Sequence, residues 1–135
     1  MSNPLPELTE SEWTVIKTVW DLEPCAAPSV QECLEPTTGW TYSTVRTLMD
    51  RMVAKGLLTA SKLRNLTLYR SAVTRQQAQR GELNYALKHA FDGALTPMVE
   101  TLLTTESVTA AQLDALQSLI DARRRDLTPA RKPKR

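Results

Sequence analysis

Apolar positions recur at helical spacing through most of the chain and give way to strand-like alternation only once. Thr9 followed by Glu12 forms a capping box, and Leu8 with Trp13 has the spacing of a hydrophobic staple, so a helix is predicted to start there. Trp13, Ile16, Val19 and Trp20 form its apolar stripe, with the tryptophans expected as core anchors, and Pro24 bounds it. Pro28 suits the first turn of a short second helix carrying Val30, Cys33 and Leu34, which Pro36 is expected to stop within about two turns. A third helix is predicted from a Thr41 cap and a Trp40–Val45 staple. Val45, Leu48, Met49 and Met52 fall at i, i+3, i+4 and i+7, and Gly56 is placed to end it.

Residues 58–63 and 66–73 are richer in Thr, Val, Tyr and Leu, and read as a two-stranded hairpin turning at Arg64 and Asn65. The turn has no Gly, which leaves its register open, although Asn tolerates positive φ. Thr74 and Gln77 make another capping box, opening a helix with Leu83, Ala86, Leu87, Ala90 and Phe91 on one side and slightly weakened by Gly81. Two further amphipathic helices follow, one after Gly93 and one capped by Thr109 and Gln112. The predicted fold is mostly α with a small β-hairpin. Its divisions are a winged helix-turn-helix over 1–73, a helical region over 74–125 and a disordered basic tail over 126–135.

Charge sharpens the picture. Residues 1–40 hold one Lys against seven acidic residues, whereas 41–80 hold eight basic residues against Asp50 alone. A basic block between acidic segments suits a phosphate-facing surface, because Lys and Arg displace condensed counterions from a duplex. Helix, short helix, long helix, hairpin is the element order of a winged helix, whose third helix enters the major groove. Its hydrophilic face puts Arg46 forward as the residue that reads a base, with Ser43, Thr44 and Thr47 on bases or phosphates and Thr41 and Tyr42 in the opening turn. Arg51, Lys62, Arg64 and Arg70 are expected on phosphates.

Other chemistry is thinly represented. Cys25 and Cys33 with a single His89 do not form a zinc framework; they read as reduced thiols, one packed as a small hydrophobe, with redox or metal sensing as the alternative. No Gly-rich phosphate loop or nucleophile motif points to an enzyme, and no cofactor or metal is expected. The acidic, Pro-containing start lacks a signal peptide and no run approaches the ~18–20 apolar residues of a membrane span, so a cytoplasmic protein without membrane insertion is expected.

Four stretches resemble the penicillinase-repressor (BlaI/MecI/CopY) family of bacterial transcriptional regulators: LTESEWTVIKTVW, WTYSTVRTLMDRMVAKGLL, LYRSAV and AFDGALTPMVETLL. The resemblance runs from about Leu8 to Arg123, and the second stretch is the most specific. It implies a repressor whose N-terminal winged helix binds a palindromic DNA operator and whose C-terminal helices interlock two chains into a homodimer. Ser43, Thr44, Arg46 and Thr47 match the base-contacting positions. The dimer seam is expected at Leu95, Met98, Val99, Leu102, Leu103, Leu113, Leu116 and Ile120, more apolar side chains than a pair of short helices can hide alone. Relatives that respond to β-lactams are cut at an Asn-Phe bond by a membrane sensor protease. The corresponding residues here are Thr101 and Leu102, a departure from that pattern. The cysteine cluster of copper-responsive relatives is also missing from the tail, which leaves the inducing signal open. The alternative reading is a winged helix used as a protein-interaction or assembly module.

Overall fold

The computed structural model describes residues 6–105 and 107–128. Its order is α1 (Glu10–Leu22), α2 (Ala27–Thr38), α3 (Tyr42–Ala54), β1 (Leu58–Leu63), β2 (Leu66–Ser71), α4 (Arg75–Phe91), α5 (Leu95–Thr105) and α6 (Ala110–Leu127). The chain divides into two units, Met1–Ala90 and Phe91–Arg135.

The first unit is a winged helix-turn-helix. The Thr9 capping box forms, with the Glu12 amide donating to Thr9 Oγ1 and the Thr9 amide to Glu12 Oε1. The buried positions of α1 are Val15, Ile16 and Val19, joined by Glu12. Trp13 and Trp20 lie beside this stripe, half-buried against the core, which corrects their expected place as its anchors. The reason is their indole N–H groups, which need partners: Trp13 Nε1 donates to Glu82 Oε1 (3.1 Å) and Trp20 Nε1 to the Val73 carbonyl (3.1 Å). The two rings meet edge-on at 6.2 Å and Arg75 lies 4.6 Å over Trp20, so the tryptophans bind α1 to α4 and to the segment that leads into it.

Helix α2 differs from expectation at its end, because Pro36 sits inside it. Proline removes one hydrogen bond, to the carbonyl of exposed Glu32, where water can replace it. The helix stops instead at Gly39, whose φ of 68° is the left-handed conformation that releases the chain into α3. Helix α3 buries Val45, Met49 and Met52 completely. Such side chains each contribute about 1.5–3 kcal/mol.

The hairpin is antiparallel, with Leu63 opposite Leu66 at the turn and Leu58 opposite Ser71 at the base. Arg64, not Asn65, takes positive φ (62°). A third backbone segment joins the base, where the Cys25 and Tyr69 amides exchange hydrogen bonds of 3.1 and 2.7 Å. Cys25 is buried there, and burial followed by the Glu23 charge pushes its thiol up, leaving it a protonated core side chain. Cys33 is exposed on α2.

In α4 the Thr74–Gln77 box forms, and the buried positions are Ala78 and Gly81 rather than the Leu83 to Phe91 side. Gly81 lies against the Pro6 backbone so closely that a Cβ would run into the Pro6 carbonyl.

The second unit consists of α5 and α6, the latter opened by a Thr109–Gln112 capping box. No residue of either helix is buried, and the two make little contact with each other. Helix α6 continues to Leu127, two residues into the expected tail, and 129–135 lie outside the described residues. No helix among the described residues is long and apolar enough to cross a membrane, and none of their His, Cys, Asp and Glu side chains group as a metal site would require.

Candidate nucleic-acid interface

The apolar stripe of α3 faces the core, and this orientation turns Thr41, Tyr42, Ser43, Thr44, Thr47 and Arg51 outward as exposed residues. Thr41 is held by the cap: its Oγ1 accepts from the Thr44 amide (3.2 Å) and meets Ser43 Oγ (3.2 Å) and Thr44 Oγ1 (3.1 Å). Three hydroxyls therefore gather at the start of α3, where free amides and the helix dipole favour an anion.

The two flanks of the helix differ. Ser43, Thr44, Thr47 and Arg51 border an open depression completed by Ser11, Trp40 and Leu48. This flank carries short hydroxyls that fit phosphates or base edges, with Arg51 at its far end.

The opposite flank faces the wing and carries Arg46. Arg46 Nε donates to Asp50 Oδ2 (3.2 Å) and Oδ1 (3.4 Å), and Nη1 donates to the Tyr42 hydroxyl (3.1 Å). Asp50 Oδ1 also accepts from the Tyr69 hydroxyl (2.8 Å), which reaches it from β2. Burial, then the hydrogen bond and charge of Asp50, push the Tyr69 phenol up to about 12, so it remains a donor at physiological pH. The Tyr42 hydrogen bond and the neighbouring acidic groups push the Arg46 guanidinium further above its already high range. Sequence reasoning counts Asp50 only as the lone acid of the basic block, and assigns neither it nor Tyr69 to the site. The i, i+4 spacing of Arg46 and Asp50 was a signal for the first, whereas nothing local joins Tyr69 to α3.

The wing splits its basic residues. In the observed register Lys62 faces Thr67 and shares the Tyr69 face, while Arg70 faces Thr59 on the reverse side. Arg64 occupies the tip between Leu63 and Leu66, which are 58% and 46% exposed. Lys62 and Arg64 thus lie on the α3 side or at the tip, and Arg70 does not join them.

The expected seam residues all lie in the second unit. Leu95, Val99, Leu102, Leu103, Leu113, Leu116 and Ile120 are exposed and Met98 is half-buried. Thr101 and Leu102 fall within α5, with the Thr101 hydroxyl bonded to the Pro97 carbonyl (2.9 Å).

Residues 8–122 match the family described as penicillinase repressor. An uncharacterised 16.5 kDa protein in the ptsI 3' region of Latilactobacillus sakei is 26% identical over 117 residues, spanning 87% of this chain and 80% of that one. The methicillin resistance regulatory protein MecI of Staphylococcus aureus (strain N315) is 21% identical over 121 residues, spanning 90% and 98%. The solution structure of the DNA-binding domain of the repressor BlaI superimposes with a TM-score of 0.48 at 22% identity, spanning 57% of this chain and 93% of that domain.

Proposed function

The chain belongs to the penicillinase repressor family, and on that premise we propose that it is a cytoplasmic transcriptional repressor that binds double-stranded DNA as a homodimer. Helix α3 enters the major groove of a palindromic operator, Arg46 reads a base, and Ser43, Thr44 and Thr47 contact bases or phosphates. Arg51, Lys62 and Arg64 engage phosphates on either side. The single observation that carries this reading is the division of α3 into two faces. Val45, Met49 and Met52 are completely buried, while hydrogen-bonding and cationic side chains line its outer face within the basic block.

The second unit supports the dimer. Two amphipathic helices without a buried residue leave an apolar surface that a second copy would cover, and two-fold symmetry would place two copies of α3 on successive major-groove faces. A cut at Thr101–Leu102 forms no part of this reading, because the Asn-Phe bond of cleaved relatives is not present there.

The test is selection by the full chain from a pool of double-stranded oligonucleotides with a randomised core. A two-fold symmetric preferred sequence is expected. Arg46→Ala should weaken binding to it by ~1–3 kcal/mol and relax preference at one position per half-site. Equal loss on every sequence would contradict base reading.

A further inference from the structure

Asp50 is the sole acidic residue in the basic block over 41–80, and it stands on the exposed side of α3. A carboxylate there repels DNA phosphates, so its presence calls for a physical reason. Its ion pair with Arg46 is by itself a weak one, since an exposed i, i+4 pair contributes little to stability. Its contacts give a better one. Asp50 holds Arg46 at Nε, and Tyr42 holds the same guanidinium at Nη1. Two anchors on different nitrogens fix both the position and the plane of the group. One N–H on Nη1 and both on Nη2 are left without partners among the described residues. Nη2 thus keeps both of its N–H groups and Nη1 keeps one, and a pair of guanidinium N–H groups is what guanine O6 and N7 accept in the major groove.

We propose that Asp50 is a positioning residue for base recognition, presetting the Arg46 guanidinium for one guanine per half-site and itself steadied by the Tyr69 hydroxyl of the wing strand. The proposal rests on the reading of Arg46 given above. A preset side chain has already lost the rotamer freedom that an unrestrained arginine would lose on binding. Discrimination at one base then depends on Tyr69, a side chain 1% exposed that is held in the core beneath the wing. The wing thereby acts on recognition through α3 as well as through its own basic residues.

The experiment uses the full-length wild type, Asp50→Asn, Tyr69→Phe and Arg46→Ala against the randomised double-stranded pool, with melting curves for each. Wild type is expected to select guanine at one position per half-site, and Arg46→Ala to lose that selection. Asp50→Asn and Tyr69→Phe should reduce discrimination at the same position roughly three- to tenfold. Asp50→Asn should also bind unrelated duplexes more tightly at low salt, because a repelling charge is gone. A merely structural role would weaken all sequences together and preserve the preference. Tyr69→Phe keeps the buried ring, so the test stands even where Asp50→Asn folds poorly. The proposal is overturned if both variants keep the wild-type preference where Arg46→Ala has lost it. It is equally overturned if Asp50→Asn changes a neighbouring position, which would mean that Asp50 reads a base of its own. A wild type without any preferred sequence, or an Arg46→Ala variant that retains the full preference, removes the underlying reading of Arg46 and this proposal with it.

Discussion

Lys55, at the end of α3, closes on the carboxylate of Glu12 in the first turn of α1, with Nζ 2.9 Å from Oε1 and 2.8 Å from Oε2. The Glu12 side chain is 7% exposed and that of Lys55 46%, so the acid is buried while the base stays wetted. Burial pushes the Glu12 carboxyl up, but the Lys55 hydrogen bonds and charge and the Thr9 amide outweigh it, and the net shift is below the ordinary 4.5. The unfolded chain therefore takes up this proton first as pH falls. The stabilisation is fully present above about 4.5 and disappears as pH drops through the lower folded value. Glu12→Gln is expected to cost ~1–3 kcal/mol at neutral pH, and the gap to wild type should close below pH 4.5 in urea titrations. A gap that persisted undiminished well below that pH would show the pair to be uncoupled from protonation.

Gly81→Ala should destabilise the protein, against the usual trend for an exposed helix. Alanine ordinarily gains about 1 kcal/mol over glycine in a helix interior. Here the added Cβ meets the Pro6 backbone, which must move away, and overpacking of this kind costs about 1–3 kcal/mol. The urea midpoint should fall. A rise would mean that the segment at Pro6 detaches from α4 without cost.

Arg64 pairs a strained backbone with a useful charge. Left-handed φ costs a non-glycine residue about 1–2 kcal/mol, partly offset by the larger unfolded-state freedom of glycine. Arg64→Gly is expected to raise stability by roughly 0.5–1 kcal/mol while reducing the slope of log affinity against log salt by about 1 per binding module. An unchanged slope would remove the wing tip from the DNA contact.

Leu102 is 52% exposed on α5. In the proposed homodimer it would be covered, so Leu102→Asp should yield monomers by sedimentation and weaken operator binding through loss of the second half-site. Intact dimers at the same concentration would move the interface away from this face.

The sequence by itself determined the elements and the identity of the outward face. Thr9, Thr41, Thr74 and Thr109 cap helices through bonds to residues three positions on, and Val45, Met49 and Met52 mark their helix face through a period of 3.6, so both signals lie within a few consecutive residues. The family resemblance over the same stretches then indicated what such a face is for. Local rules misled where tertiary surroundings prevailed: Pro36 continues a helix because the carbonyl it orphans belongs to the exposed residue Glu32, and Trp13 and Trp20 sit at the core edge because their N–H groups find partners 69 and 53 residues away. Only the tertiary structure decided that Tyr69 steadies Asp50 across 19 residues, that Lys55 and Glu12 pair across 43, and that Arg70 turns away from Lys62. Each depends on the hairpin register or on helix packing, which is fixed by many weak apolar contacts acting together, and no pattern within one segment encodes that sum.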